Sequence, residues 1–367
     1  MENTLALPAP ELELNTLSFS LLDELRDVFA VERATTQDRK NPAVVYYGRL
    51  LTDADSALQR LEPRLAAYGF TPMLQRKGQQ DLLIAVPGVA GQSKTRLWLH
   101  FLLAAATLFT TTLAGALLAG VNPLRDFAGI WVGLPFALTL MTILTAHELG
   151  HYFMGKWHGV QVSLPYFIPA PFSLGTLGAF IQMRSPIRNR RELFDVGFAG
   201  PVVGFVVALA LMILGLLFND QLRIFRTFGP PLGNSLLTSF LTNLLRPDEA
   251  QTIISRNPLV LASYFGFLLT GINLLPAGQL DGGHIAYALF GRAARPLAFL
   301  VVISLVVLGM VAWSGWYLWA GLLLLMGLRH PGPLNDITPV DRGRWGIAVG
   351  AFVIFLLTFI PQPLPAF

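Results

Sequence analysis

Hydrophobic and polar positions divide the chain near residue 96: short alternating or 3.6-period apolar runs precede it, and long unbroken apolar stretches follow it. In the first part, residues 1–42 are polar apart from an amphipathic stretch, Leu17–Val31, with helical spacing. VVYYGRLL (Val44–Leu51) reads as a strand, and Asp53–Tyr68 as a helix capped by Thr52 or Asp53. FTPMLQR and DLLIAVPG read as two further strands. The pattern predicts a small soluble α+β domain of β-α-β-β type over residues 43–88, with residues 89–96 as a linker.

The second part predicts helices in lipid. Seven apolar runs approach the length needed to cross about 30 Å of hydrocarbon: residues 97–120, 128–155, 196–218, 258–277, 295–312, 314–328 and 344–361. The sixth is short, and the fifth and sixth can form a tight hairpin around Trp313–Trp316. The expected fold class is therefore a polytopic α-helical membrane protein of about seven transmembrane helices, spanning residues 97–361, behind a small N-terminal α+β domain.

Composition sharpens this picture. Only 13% of the 367 residues are charged, 53% are hydrophobic and the mean hydropathy is +0.56, against about 25% charged residues in soluble proteins. Residues 1–95 carry 12 Asp/Glu and 10 Lys/Arg, and the remainder only 10 and 16. No basic patch interleaved with aromatics appears, so nucleic acid is not an expected partner and the lipid bilayer is. The absence of Cys excludes disulfides and thiolate chemistry. MENTLALPAP lacks the basic and apolar regions of a cleaved signal peptide, so the N-terminal domain is expected to stay in the cytoplasm. That orientation puts twelve loop Lys/Arg inside, from Lys94 to Arg344, and five outside: Arg125, Arg223, Arg226, Arg246 and Arg256.

An acid at the bilayer centre costs about 2.5–3.5 kcal/mol on insertion scales, so it needs a partner or a function. Of the ten acids after residue 95, only Glu148 and Asp281 lie within apolar spans. Glu148 belongs to His147-Glu148-Leu149-Gly150-His151. On a helix, positions i and i+4 share a face, so both imidazoles can reach one zinc ion while Glu148 addresses water beside it. Zinc lowers the pKa of a water it binds to about 7. Glu148 would take the water's proton and pass it to the leaving amine. Chance occurrence of the pattern is the bland alternative, and it fits poorly inside an apolar span holding two of the chain's six histidines.

Two histidines leave zinc one protein ligand short. The metzincin spacing would place a third His where Trp157 stands, and His158 is off by one, which reads as an interfacial polar residue. Glu192 and Asp195 lie in the basic RNRRELFD segment, where pairing with arginines is the simpler reading. Asp281 is the better candidate, within NLLPAGQLDGGH (Asn273–His284). Pro276 and Gly278 break the fourth span, and broken backbone at membrane depth marks a polar pocket. Gly282 and Gly283 permit close approach of another backbone, as a metal-bearing helix would make. An Asp281 that merely caps the helix 282–291 is the alternative, and His284, one turn on, is the remaining competitor for the metal.

Taken together, HELGH and NLLPAGQLDGG resemble the HExxH and NxxPxxxLDGG motifs of the site-2 protease family of intramembrane zinc metalloproteases. The resemblance runs over roughly residues 96–345, and the front domain and RHPGPLNDITPVD look like the cyanobacterial and chloroplast-type branch. It implies one Zn2+ per chain held by His147, His151 and Asp281, Glu148 as catalytic base, and Asn273 as a substrate or oxyanion contact. In that family a membrane-dipping hairpin is thought to pair with the substrate. Gly175-Thr176-Leu177-Gly178 reads as the turn of such a hairpin, with a purely structural role as the alternative. FDVGFAGPVVGF also resembles the family, and its small residues suit close helix packing. The loop 219–256 is too short for the PDZ domain of some relatives. The expected activity is intramembrane endoproteolysis of a membrane-protein substrate near its cytoplasmic side. A catalytically silent membrane-helix-binding scaffold and an ion-coupled transporter are the alternatives from other classes; retained Glu148 and the lack of an internal repeat weigh against them.

Overall fold

The computed structural model describes residues 20–37, 43–89, 96–123, 125–172, 174–222, 232–250 and 252–364. Most of the expected linker, much of the polar N-terminal segment and residues 223–231 of the 219–256 loop lie outside the described residues. The chain divides into two units. The first comprises the N-terminal 92 residues with residues 184–193 and 331–340; the second holds residues 93–183, 194–330 and 341–367.

In the first unit β1 (Phe29–Gln37), β2 (Ala43–Leu50), β3 (Phe70–Lys77) and β4 (Gln80–Pro87) form an antiparallel sheet in the order β1-β2-β4-β3. Helix α1 (Ala54–Ala66) packs on it through buried Ala57, Leu58, Leu61 and Leu65, which repeat at helical spacing. Asp53 is its N-cap, accepting from the Ser56 backbone N–H at 2.9 Å. That bond holds the exposed Asp53 carboxyl below its usual range.

Two features of this unit depart from the sequence reading. The sheet begins at Phe29, not near Val44, because Phe29–Gln37 pairs along β2; Glu32 and Arg33 mask a strand of mixed polarity. Of the amphipathic stretch Leu17–Val31, the described residues are helical over 20–25 before that strand starts. In addition, two distant segments extend the free edge of β3. Leu74 N–H donates to Leu334 O, and Asp336 N–H donates back to Leu74 O; Leu334 N–H and Asn335 N–H donate to Ile187 O and Arg188 O. Leu334 is 4% exposed and joins the domain's own core. Arg190 pairs with buried Asp336 at 2.8 Å, Asn335 donates to Asp55 at 2.6 Å, and Arg188 meets Glu62 at 2.6 Å. An edge strand that would otherwise be open is thus covered by the chain's own loops.

The second unit is helical. Among the described residues, four helices are long and apolar enough to cross a membrane: α2 (Leu97–Leu118), Ala128–Trp157, whose α-helical part is α3 (Leu134–Trp157), α4 (Arg190–Leu217, first turn in the other unit), and Asp281–Val311. The last combines α7 (Asp281–Phe290) and α8 (Ala294–Val311). Shorter apolar helices are α5 (Leu236–Leu245), α6 (Pro258–Asn273) and α9 (Gly315–Met326), and α10 (Arg342–Thr358) has 17 residues. The expected spans at 258–277 and 314–328 are therefore helices of 16 and 12 residues. Threonines in α3 hide their hydroxyls by donating one turn back, Thr139 to Pro135 O and Thr145 to Met141 O. Helices α3 and α6 meet in a core containing Phe136, Leu140, Ile143, Phe265 and Phe267.

Candidate active site

His147, Glu148 and His151 sit two turns from the end of α3 and are all buried. Opposite them α6 ends at Asn273, the LPAG segment turns sharply with Gly278 at φ +56°, and α7 starts at Asp281. The turn exists because Pro276 cannot continue a helix and Gly278 accepts the left-handed conformation. It delivers the Asp281 carboxylate to the two imidazoles. Asp281 Oδ2 stands 3.2 Å from His147 Nε2, Asp281 Oδ1 stands 3.2 Å from His151 Nε2, and the two Nε2 atoms are 3.1 Å apart. Leu280, not Asp281, occupies the N-cap position of α7, and no side chain caps that helix. A capping role for Asp281 is thereby displaced.

The donor set fits zinc. Ligands held at about 2.05 Å around a tetrahedral ion lie about 3.3 Å from one another, close to the separations seen. The second ring nitrogen supports the same reading: His151 Nδ1 lies 2.7 Å from the Val196 carbonyl. A carbonyl only accepts, so Nδ1 carries the proton and Nε2 is left with its lone pair toward the cluster. Among the described residues, His147, His151 and Asp281 are the one group of three His, Asp or Glu side chains with ligand atoms so gathered.

Around this cluster stand the other expected residues. The Asn273 side-chain amide is 3.4 Å from His147 Nε2. The Glu148 carboxylate lies near the Ile181 backbone N–H, which follows directly on β6 (Thr176–Phe180). That strand pairs antiparallel with β5 (Tyr166–Pro169). The expected turn is misplaced by the sequence reading: Thr176, Leu177 and Gly178 lie in β6, and the described residues of the reversal are 170–172 and 174–175, where Pro169 and Pro171 end β5. Gly175 (φ +83°) closes the reversal and sits against α2, where its carbonyl accepts from Thr110 Oγ1 at 2.6 Å. Thr176 is buried, its hydroxyl donating to Ile168 O at 2.9 Å, whereas Leu177 is exposed.

The competitors for the metal go elsewhere. His158 caps α3 and meets Asp195 at 3.0 Å. Asp195 pairs not with its neighbouring arginines but with Arg344 of α10, at 2.8 Å to Nε. Glu192 accepts from the Arg188 N–H and the Asn189 side chain while Asn189 caps it in return, a reciprocal box at the start of α4. His284 contacts His330, which stacks on Tyr287 with ring centroids 4.8 Å apart.

Glycines of α4 complete the site, a role the sequence reading reduced to packing. A Cβ on Gly200 would lie 2.1 Å from His151 Nε2, one on Gly204 3.0 Å from His147 Cβ, and one on Gly197 2.7 Å from His284 Cβ. The spacing of three and four residues puts these glycines on one face of α4, a signal present in FDVGFAGPVVGF. Gly282 and Gly283, by contrast, do not admit the metal-bearing helix. They close on the carbonyls of Leu274 and Gly278 in their own turn, where a Cβ would come within 2.1 and 2.5 Å. Gly200→Val is expected to push the His151 ring off the cluster and lower zinc occupancy to a small fraction. Gly321→Val, at an open position in α9, is expected to leave it unchanged. Metal analysis of the purified variants checks both.

Residues 135–313 match the model of peptidase family M50. The chain carries the domain of peptidase family M50, the site-2 proteases. Its curated relatives agree. It is 27% identical over 363 residues to the probable zinc metalloprotease EGY2, chloroplastic, of Oryza sativa subsp. indica, covering 94% of this chain and 66% of that protein. It is 31% identical over 237 residues to the Arabidopsis thaliana EGY2 protein, covering 64% and 42%. With Arabidopsis EGY1, also named a probable zinc metalloprotease, identity is 32% over 62% of this chain and 43% of that protein. The chain thus spans two thirds or less of the length of these relatives. No solved structure matches it.

Proposed function

We propose that this M50-domain chain is an intramembrane zinc endopeptidase that hydrolyses a peptide bond within or near a transmembrane segment of a membrane protein. The observation that carries the reading is the convergence of His147, His151 and Asp281 beside Glu148 on helices apolar enough to span a bilayer. These three residues would hold one zinc ion per chain. When bound, zinc supplies Lewis acidity toward water and a peptide carbonyl.

The chain's own residues do the rest. Glu148, one residue from the first imidazole, accepts a proton from the attacking water and returns it to the leaving nitrogen, so no charge is left stranded in the pocket. The Asn273 amide donates a hydrogen bond to the oxygen that gains negative charge. Each strand of a two-stranded hairpin keeps an unpaired edge. β6, next to α3 and followed by Ile181 near Glu148, offers that edge to an unwound substrate segment by strand addition. Gly175, Thr176, Leu177 and Gly178 belong to this substrate-binding element, with Leu177 presenting its side chain.

The seven-span reading, with the N-terminal domain and the site opening toward the cytoplasm, is supported by the twelve-to-five distribution of loop Lys/Arg. In a chain without native Cys, a single cysteine at position 248, exposed in the 219–256 loop, is expected to react with an impermeant maleimide only from the outer face. Reaction only from the cytoplasmic face overturns that orientation. For the metal, one zinc per purified chain, removed by chelation and restored by zinc, is expected. A chain that binds none in the presence of excess zinc refutes the proposal.

A further inference from the structure

A groove of about 570 Å³ runs between α7, α8 and α10. Its lining includes Leu274, Pro276 and Gly282, of the broken segment that carries Asp281, and α10 between Trp345 and Phe359. At 1.5 Å per residue the stretch of α10 along it is about 21 Å long. An α-helix of that length and about 10 Å across occupies about 1,600 Å³, nearly three times the groove, so the groove does not enclose a transmembrane helix. An unwound peptide is slimmer, but its backbone amides need partners. Ser304 and the Trp345 indole hold the only polar side-chain atoms in the lining. A single hydrocarbon chain satisfies both limits.

Phe290 and Trp345 of the lining meet edge to face, with ring centroids 5.6 Å apart. Arg292 follows Phe290 by two residues and Arg342 precedes Trp345 by one helical turn; both are exposed. An aromatic pair with exposed arginines beside it is the composition expected at the level of lipid headgroups. We propose that this groove binds one acyl chain of an anionic phospholipid, with the headgroup at Arg292 and Arg342. The chain fills the space behind the broken segment and buttresses it from the lipid side.

The test uses the full chain in lipid nanodiscs containing a phospholipid with a photoactivatable acyl chain, in anionic and zwitterionic forms. Labelled peptides are mapped and referred to labelling of the exposed face of α9 around Leu318 and Leu325 in the same sample. With the anionic probe, labelling of α8 and α10 is expected to exceed that reference several-fold. Ala348→Trp, which fills the groove, should reduce it to the reference level, as should Ala286→Phe should the first variant fail to elute as a monodisperse protein. Arg342→Gln should abolish the preference for the anionic form. Groove labelling that survives both filling variants, or that is equal for the two headgroups in the unaltered chain, overturns the proposal. Displacement of the lipid by a stoichiometric transmembrane peptide overturns it in favour of a peptide occupant.

Discussion

Glu148→Gln is expected to eliminate cleavage of a transmembrane peptide while leaving bound zinc within about twofold of the unaltered protein. The two outcomes separate because Glu148 points past the cluster toward the Ile181 N–H and contributes no atom to the group formed by His147, His151 and Asp281. Gln keeps the size and the ability to accept a hydrogen bond but cannot take a proton. A positioned general base contributes about 10²–10⁴-fold, and here the same group also returns the proton to the leaving amine, so the loss should be at the upper end or beyond. Rate measurement together with metal analysis of one preparation checks it. A variant that cleaves at more than about a tenth of the normal rate means that another group is the base.

The second large effect belongs to Asp281. Asp281→Asn should lower zinc affinity and cleavage in parallel, because a neutral amide is a poorer zinc ligand than a carboxylate. The drop should exceed the 10–100-fold that follows loss of an outer-shell partner. His158→Ala, Glu192→Gln and Asp195→Asn should keep most of the metal, since those side chains are engaged in the cap, the reciprocal box and the Arg344 pair. His284→Ala should also keep it. Stoichiometric zinc in Asp281→Asn, with its loss in His284→Ala, would move the ligand one turn along α7.

The parts of the site legible in the sequence are those in which lipid makes polarity conspicuous. His147, Glu148 and His151 announce themselves because i, i+4 spacing fixes a shared face, and Asp281 because an acid in an apolar span is rare. What stayed hidden depends on non-local pairing. Phe29–Gln37 is half charged or polar and becomes a strand only because β2 offers its edge. Leu334 looks like a loop residue, yet its backbone pairs with Leu74, some 260 positions earlier, and nothing local encodes that. The glycines Gly175 and Gly178 suggest the hairpin turn, whereas the prolines at 169 and 171 set the reversal and leave Gly178 inside a strand at φ +104°. In sequence Gly197, Gly200 and Gly204 look like packing residues, since their effect on the ring positions of His284, His151 and His147 appears only when α4 is laid against α3 and α7.

The most direct test is to incubate the purified, zinc-loaded chain with a synthetic transmembrane peptide in lipid and to locate the cut by mass spectrometry. The expected result is a discrete cleavage within or at the cytoplasmic edge of the apolar segment, abolished by chelation and by Glu148→Gln and restored by zinc. No cleavage of any transmembrane peptide by stoichiometrically zinc-loaded protein, or cuts confined to flanking soluble residues and indifferent to chelation, would contradict intramembrane zinc proteolysis.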